Sequence, residues 1–238
     1  NAVKRSIRGE TVGHMGTLDP LASGVLPVAI GKSTRLFDYL LDKKKEYVAT
    51  VAFGYMTDTL DLEGKTVLTS EVIPTEEQVK NACEKLVGEI MQVPPIFSAK
   101  CVNGKRSYEL ARKGVAVELP PKKVVISDIE VIGKTAENEY KIKIVCGGGT
   151  YIRSVARDLG YECGSCATMT SLVRTASGVF KIENSIKAED FINAEKKQSL
   201  LIPADNAVDF PVIVLNEEQT KRLFNGLYDE YDYSDGVY

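Results

Sequence analysis

The 238 residues are 44% hydrophobic and 26% charged, with a formal net charge of −3, one histidine and five cysteines. That balance describes a globular chain able to bury one large core, plus a small or partial second domain. It excludes a membrane-spanning helix, since no apolar run approaches the required length, and five scattered cysteines read as reduced thiols of a cytoplasmic protein rather than a disulfide framework.

In chain order, residues 2–8 read as the end of a helix stopped by Gly9, and 33–41 as a short amphipathic helix with Leu36, Phe37, Leu40 and Leu41 inward. Tyr47 to Phe53 alternates and is β-rich, so it reads as a strand, turned back at Asp61-Leu62-Glu63-Gly64. Thr75 with Gln78 forms a capping box that opens a helix reaching Leu86. A short helix over Ser107–Lys113 and strands over Val115–Leu119, Val124–Ile132 and Tyr140–Cys146 follow. Gly147-Gly148-Gly149 breaks the last strand, and Tyr151–Leu159 reads as a helix stopped by Gly160. Met169–Arg174 and Gly178–Ile182 are expected to pair as a hairpin across Thr175-Ala176-Ser177. Strands and helices alternate without a repeating βαβ unit, which predicts an α+β fold with a mostly antiparallel sheet flanked by helices.

Charge is unevenly spread. Residues 1–50 hold eight Lys and Arg against five acids, and 91–126 hold seven against two. Residues 183–238 reverse this, with twelve acids against five bases. Two basic segments and an acidic tail allow a positive face toward phosphates on an acidic protein, although charge runs are more often plain solvated surface.

Several motifs mislead. Gly31-Lys32-Ser33-Thr34 resembles the end of a phosphate-binding loop, but Leu26 stands where its first glycine belongs and Pro27 follows. Cys163-Gly164-Ser165-Cys166 lacks the second pair that structural zinc requires. His14 finds no Gly-x-Ser-x-Gly partner for a serine triad. What remains is an aspartate, an arginine and tyrosines, a set suited to covalent chemistry without metal or cofactor. Asp19 is central to it. It lies in Gly13-His14-Met15-Gly16-Thr17-Leu18-Asp19-Pro20-Leu21-Ala22-Ser23-Gly24, where glycines and proline favour displaying a side chain over burying it. On its own, Asp19-Pro20 is equally ordinary turn chemistry.

The same string closely resembles the catalytic motif of the TruB-type tRNA pseudouridine synthases. Further blocks resemble that family in its order: Lys45-Glu46-Tyr47, the run from Phe53 to Gly64, Gln92 to Lys100, Gly104 to Arg112, Gly149 to Gly160 and Leu172 to Phe180. The resemblance implies a synthase catalytic domain over 1–210, preceded in the family by a leading segment, and the opening of a PUA-like RNA-binding domain over 211–238. It implies that Asp19 is the nucleophile, that Arg153 pairs with it, and that Tyr47, otherwise a core aromatic of a strand, stacks on the target uracil. Tyr151 and Leu172 become pocket walls, and His14 a substrate-binding residue beside the catalytic loop. The implied reaction is isomerisation of uridine 55 in the T loop of tRNA, with no metal, cofactor or membrane. The implied partner is the T-arm stem-loop alone, bound by a monomer. Attack at C6 of the base and at C1′ of the ribose both fit. Two alternatives stand beside it: a dyskerin-like synthase directed by guide RNA, and a tRNA-binding or tRNA-folding protein without catalysis.

Overall fold

The structure is a computed structural model that describes residues 2–41, 43–98, 101–102, 105–107, 119–208 and 210–227. The chain divides into two compact units, 1–200 and 201–238.

The first unit opens with helix α1 (Ala2–Ser6), followed by strands β1 (Val12–His14), β2 (Ala22–Gly24) and β3 (Val28–Ile30). A 3-10 turn over Gly31–Leu36 leads into α2 (Phe37–Leu41), so the expected single helix is a 3-10 segment followed by one α turn. Next come β4 (Lys45–Phe53), the hairpin β5 (Tyr55–Thr57) and β6 (Thr66–Thr69), α3 (Glu76–Lys85) and β7 (Gly88–Gln92). Short strands β8 (Cys101–Val102) and β9 (Lys105–Arg106) pair with each other. Long strands β10 (Lys122–Ala136) and β11 (Glu139–Cys146) precede α4 (Ile152–Glu162). β12 (Ala167–Ser177), β13 (Phe180–Lys181) and α5 (Ala188–Asn193) follow. The second unit contains α6 (Glu217–Phe224), capped by Asn216 with Gln219 in a capping box.

The main sheet runs β13-β12-β4-β11-β10-β7, all antiparallel, and β2 adds to β12 in parallel. This is the α+β, mostly antiparallel architecture expected from the sequence. One face is apolar because Tyr47, Ala49 and Val51 of β4 point inward opposite Ile144, Ile142 and Tyr140 of β11, with Phe53 and Cys146 buried beside them. Val79 and Cys83 of α3, and Ile152, Val155 and Leu159 of α4, cover that face and complete the core. The opposite face carries Glu46, Lys141 and Lys143, which matches the half-wet pattern of antiparallel sheets.

The Thr75–Gln78 capping box forms as expected. Three local expectations fail for physical reasons. Gly160 does not stop α4, which continues to Glu162; a Cβ there would lie 2.6 Å from the Ala167 backbone nitrogen, so glycine serves close packing on β12. The β12–β13 hairpin turns at Gly178-Val179, not at 175–177, because Ser177 pairs with Phe180 and Gly178 takes a positive φ of 58°. The turn expected over 61–64 forms, with the Gly64 N–H donating to the Asp61 carbonyl at 3.4 Å, but it returns β5 to β6 rather than turning β4 back, and Asp61 is not a surface residue. It is 2% exposed and bridges to Met169. The helix expected from Ser107 and the strand from Val115 fall mostly outside the described residues.

Candidate active site

Two strand pairings hold the Asp19 segment. β1 pairs with β3 (His14 opposite Val28), and β2 lies on β12 (Ala22 opposite Leu172). Between them the Asp19 carbonyl accepts the Ala22 N–H at 2.9 Å, closing a tight turn around Pro20. The Asp19 side chain retains 27% exposure, which leaves its carboxylate reachable.

Arg153 approaches from the first turn of α4. That turn is pinned from outside the helix: Gln92, 1% exposed, accepts the Tyr151 N–H through Oε1 at 2.9 Å and donates from Nε2 to the Tyr151 carbonyl at 3.2 Å. Ser154 Oγ donates to the Val93 carbonyl at 2.9 Å. A cation at a helix N-terminus opposes the helix dipole, so its placement there demands nearby anions. Two are present. Arg153 Nε donates to Asp19 Oδ2 at 3.0 Å and Nη2 to Asp19 Oδ1 at 2.8 Å, a bidentate pair. Arg153 Nη1 lies 3.5 Å from Asp61 Oδ2. The remaining donors meet backbone: Nη1 reaches the Thr59 carbonyl and Nη2 the Phe97 carbonyl, each at 3.1 Å.

Asp61 is locked into this arrangement. Its Oδ1 accepts from Thr59 Oγ1 at 2.6 Å and from the Glu63 N–H at 3.0 Å. The preceding Leu60 holds a φ of 65°, a left-handed conformation that costs a leucine about 1–3 kcal/mol. That strained residue turns the chain so that the Thr59 carbonyl and the Asp61 carboxylate both face Arg153.

These groups line a cavity of about 770 Å³, within the size range of small-ligand clefts. Asp19, Arg153, Tyr47, Tyr151 and Leu172 all border it. His14 does not. It is exposed on β1, outside the cavity lining. Burial pushes the Tyr47 phenol above its ordinary value; the nearby Arg174 charge pulls it back, while Cys146 and Asp19 add to the rise. Tyr47 therefore stays neutral at physiological pH.

Lys45, Asp61 and Arg174 also border the cavity, and reading the sequence by residue type assigned them no role. Lys45 and Arg174 are basic residues on strands that alternation alone places ambiguously. Asp61 reads as an ordinary turn acid. Among the described residues no group of three or more His, Cys, Asp or Glu is arranged to hold a metal ion, and no helix is long and apolar enough to cross a membrane.

Residues 4–152 match the model of the TruB family pseudouridylate synthase N-terminal domain. The chain belongs to that family. It is 42% identical over 228 residues to a tRNA pseudouridine synthase B of Caulobacter vibrioides, covering 94% of this chain and 74% of the relative. It is 43% identical over 227 residues to the Clostridium tetani protein of the same name, covering 94% and 78%. Among solved structures it resembles a chain of a Cbf5-Nop10-Gar1 complex, with a TM-score of 0.66 and 29% identity over 86% of this chain and 55% of that one. It also resembles a chain of an H/ACA RNP bound to a substrate RNA containing 2′-deoxyuridine, with a TM-score of 0.63, 27% identity and coverage of 86% and 54%. The chain thus spans just over half the length of those two structural neighbours.

Proposed function

We propose that the protein is a tRNA pseudouridine synthase that isomerises uridine 55 of the T loop, with Asp19 as nucleophile. The observation that carries this reading is the bidentate Asp19–Arg153 pair at the mouth of a cavity walled by Tyr47. Membership in the TruB family and the shared name of its bacterial relatives supply the reaction class.

In the proposed reaction Arg153 keeps the Asp19 carboxylate ionised and aimed. The carboxylate oxygen attacks the extruded nucleotide, at C6 of the base or at C1′ of the ribose. The C1′–N1 bond breaks and the uracil turns within the cavity. C5 then bonds to C1′, Asp19 is released, the C5 hydrogen leaves as a proton, and N1 takes up a proton in its place. No atom is gained or lost overall, so the step needs no oxidant or cofactor. The ring of Tyr47 gives the extruded base a stacking face, and its neutral phenol is placed to relay the C5 proton. Tyr151 and Leu172 wall the base. His14, on the surface beside the catalytic loop, is assigned to the RNA around the extruded nucleotide. The basic segments 1–50 and 91–126 are assigned to the RNA backbone, and residues 211–238 to the opening of a PUA-like domain. The expected working form is a cytoplasmic monomer that needs no protein partner.

The alternative of a guide-directed, dyskerin-like enzyme draws on the likeness to chains of Cbf5 complexes. The higher identity to proteins named for tRNA favours action on tRNA directly. The deciding experiment offers a T-arm hairpin, tritiated at C5 of its target uridine, without guide RNA or added protein. Isomerisation releases tritium to water. Release from the hairpin, and far less from an unstructured oligonucleotide of the same sequence, is expected, because RNA-specific enzymes read loops whose bases splay out. No release from the hairpin unless guide RNA is added would favour the alternative, and none under either condition would support a binding protein without catalysis.

A further inference from the structure

Among the described residues Arg174 is the largest fully buried side chain, at 1% exposure. A buried guanidinium is costly to desolvate unless its donors are met, and among the described residues no carboxylate forms an ion pair with it. Besides the Tyr47 phenol, its partners are backbone atoms of the Asp19 loop. Nε donates to the Val25 carbonyl at 2.7 Å, and Nη2 donates to the Gly16 carbonyl at 3.1 Å. The Val25 N–H donates in return to the Arg174 carbonyl at 2.8 Å. One residue of β12 therefore ties both ends of the loop that carries Asp19 at its middle.

The glycines of the loop are matched to this contact. Gly24 has a φ of 102°, and a Cβ there would sit 2.2 Å from the Arg174 carbonyl oxygen. Gly16 has a φ of 80°, and its Cβ would touch the guanidinium at 3.4 Å. Across the sheet Arg174 stands directly opposite Tyr47 in the β12–β4 register, and its charge acts on the phenol. At 1% exposure the side chain offers almost no surface to the cavity it borders.

We propose that Arg174 is a positioning residue of the synthase: its guanidinium closes the 16–25 loop at both ends and holds Asp19 and Tyr47 in one frame. Arg174 acts through those two residues and does not touch the substrate. The assignment rests on the pseudouridine synthase reading for its effect on rate, and on geometry alone for its effect on the loop. Lysine keeps the charge but offers donors from a single atom, so it reaches one carbonyl and not both. Glutamine keeps two donors and loses the charge.

The test compares Arg174→Lys and Arg174→Gln with the unsubstituted protein in four readouts: thermal unfolding, affinity for a T-arm hairpin, single-turnover tritium release, and amide hydrogen exchange by segment. In Arg174→Lys, exchange is expected to rise within residues 16–25 while β11 stays protected. The rate is expected to fall about a hundredfold, as a misplacement near 1 Å would cause, with hairpin affinity within about threefold. Arg174→Gln is expected to show the same pattern more strongly. Normal rate with normal exchange in Arg174→Lys would overturn the proposal. So would exchange rising uniformly across the sheet, or global unfolding of both variants, since either makes Arg174 a general stabiliser. Should the unsubstituted protein release no tritium, the functional reading fails, and the exchange pattern still decides whether Arg174 holds the loop.

Discussion

Replacing Arg153 with lysine keeps one positive charge beside Asp19 and removes the planar fork. The guanidinium spends four hydrogen bonds here: two on Asp19 at 2.8 and 3.0 Å, and one each on the carbonyls of Thr59 and Phe97 at 3.1 Å. Those bonds leave from three nitrogens, whereas an ammonium offers three donors from one atom. Lysine placed for one Asp19 oxygen and one carbonyl loses the other two bonds. At about 1.5–3 kcal/mol for each hydrogen bond to a charged group, the loss is about 3–6 kcal/mol. Falling wholly on the transition state, that corresponds to a rate loss of roughly 10²–10⁴. The fold suffers less, because the charge facing Asp61 remains; about 1–3 kcal/mol is expected from one buried carbonyl left unpaired. The assay is single-turnover tritium release from a T-arm hairpin, with urea unfolding measured in parallel. A rate within about threefold of the unsubstituted protein would refute the reasoning, because it would mean that the bidentate geometry contributes nothing to the reaction.

Three further outcomes follow from particular contacts. Gly24→Ala should destabilise the fold by about 3 kcal/mol or more, since its Cβ meets a backbone oxygen, whereas Gly164→Ala, with nothing within 4 Å, should cost about 1 kcal/mol; equal unfolding midpoints would contradict this. The raised Tyr47 value means the folded state favours the neutral phenol, so its contribution to stability is complete below the ordinary value near 10 and is lost as pH rises through the folded one. In an absorbance titration, the ionisation step missing from Tyr47→Phe should therefore lie above pH 10; a step at or below it would argue against burial of the ring. Burial pushes the Cys83 thiol to about 12 and those of Cys146 and Cys163 to about 11. Brief alkylation of the native protein at pH 8 should leave all three unmodified in a peptide map, and rapid labelling of any one would show its packing to be looser than described.

The sheet was legible from sequence because β11 keeps strict alternation and β4 is rich in apolar and β-branched residues, and the Thr75 cap because its chemistry is local. Asp19 was legible only through its neighbours Gly16, Pro20 and Gly24, together with the family resemblance. Arg174 was hidden by a bulge. Between Met169 and Ser171 the β12–β4 register slips, so Leu172 and Arg174 share the inward face with Met169. Simple alternation would send them to the other side. A bulge depends on the partner strand and leaves little trace in the chain that carries it. Asp61 was hidden for a related reason. Its burial depends on β12 and α4, more than a hundred and about ninety residues downstream, and on a left-handed Leu60 that sequence preference argues against. The boundary of α4 was missed because Gly160 serves packing, a use that cannot be told from a helix stop without the strand it packs on.

The central claim is that Asp19 supplies the nucleophile, and Asp19→Asn tests it most directly. The amide matches the carboxylate in volume and can still accept one hydrogen bond from Arg153, so the fold and the RNA-binding surface should survive. Hairpin affinity and single-turnover tritium release are measured on the same preparation. Affinity within about threefold of the unsubstituted protein, with release indistinguishable from a no-enzyme control, is the predicted result. Tritium release by Asp19→Asn near the unsubstituted rate would contradict the account, because the bond-making carboxylate would then have to be another residue.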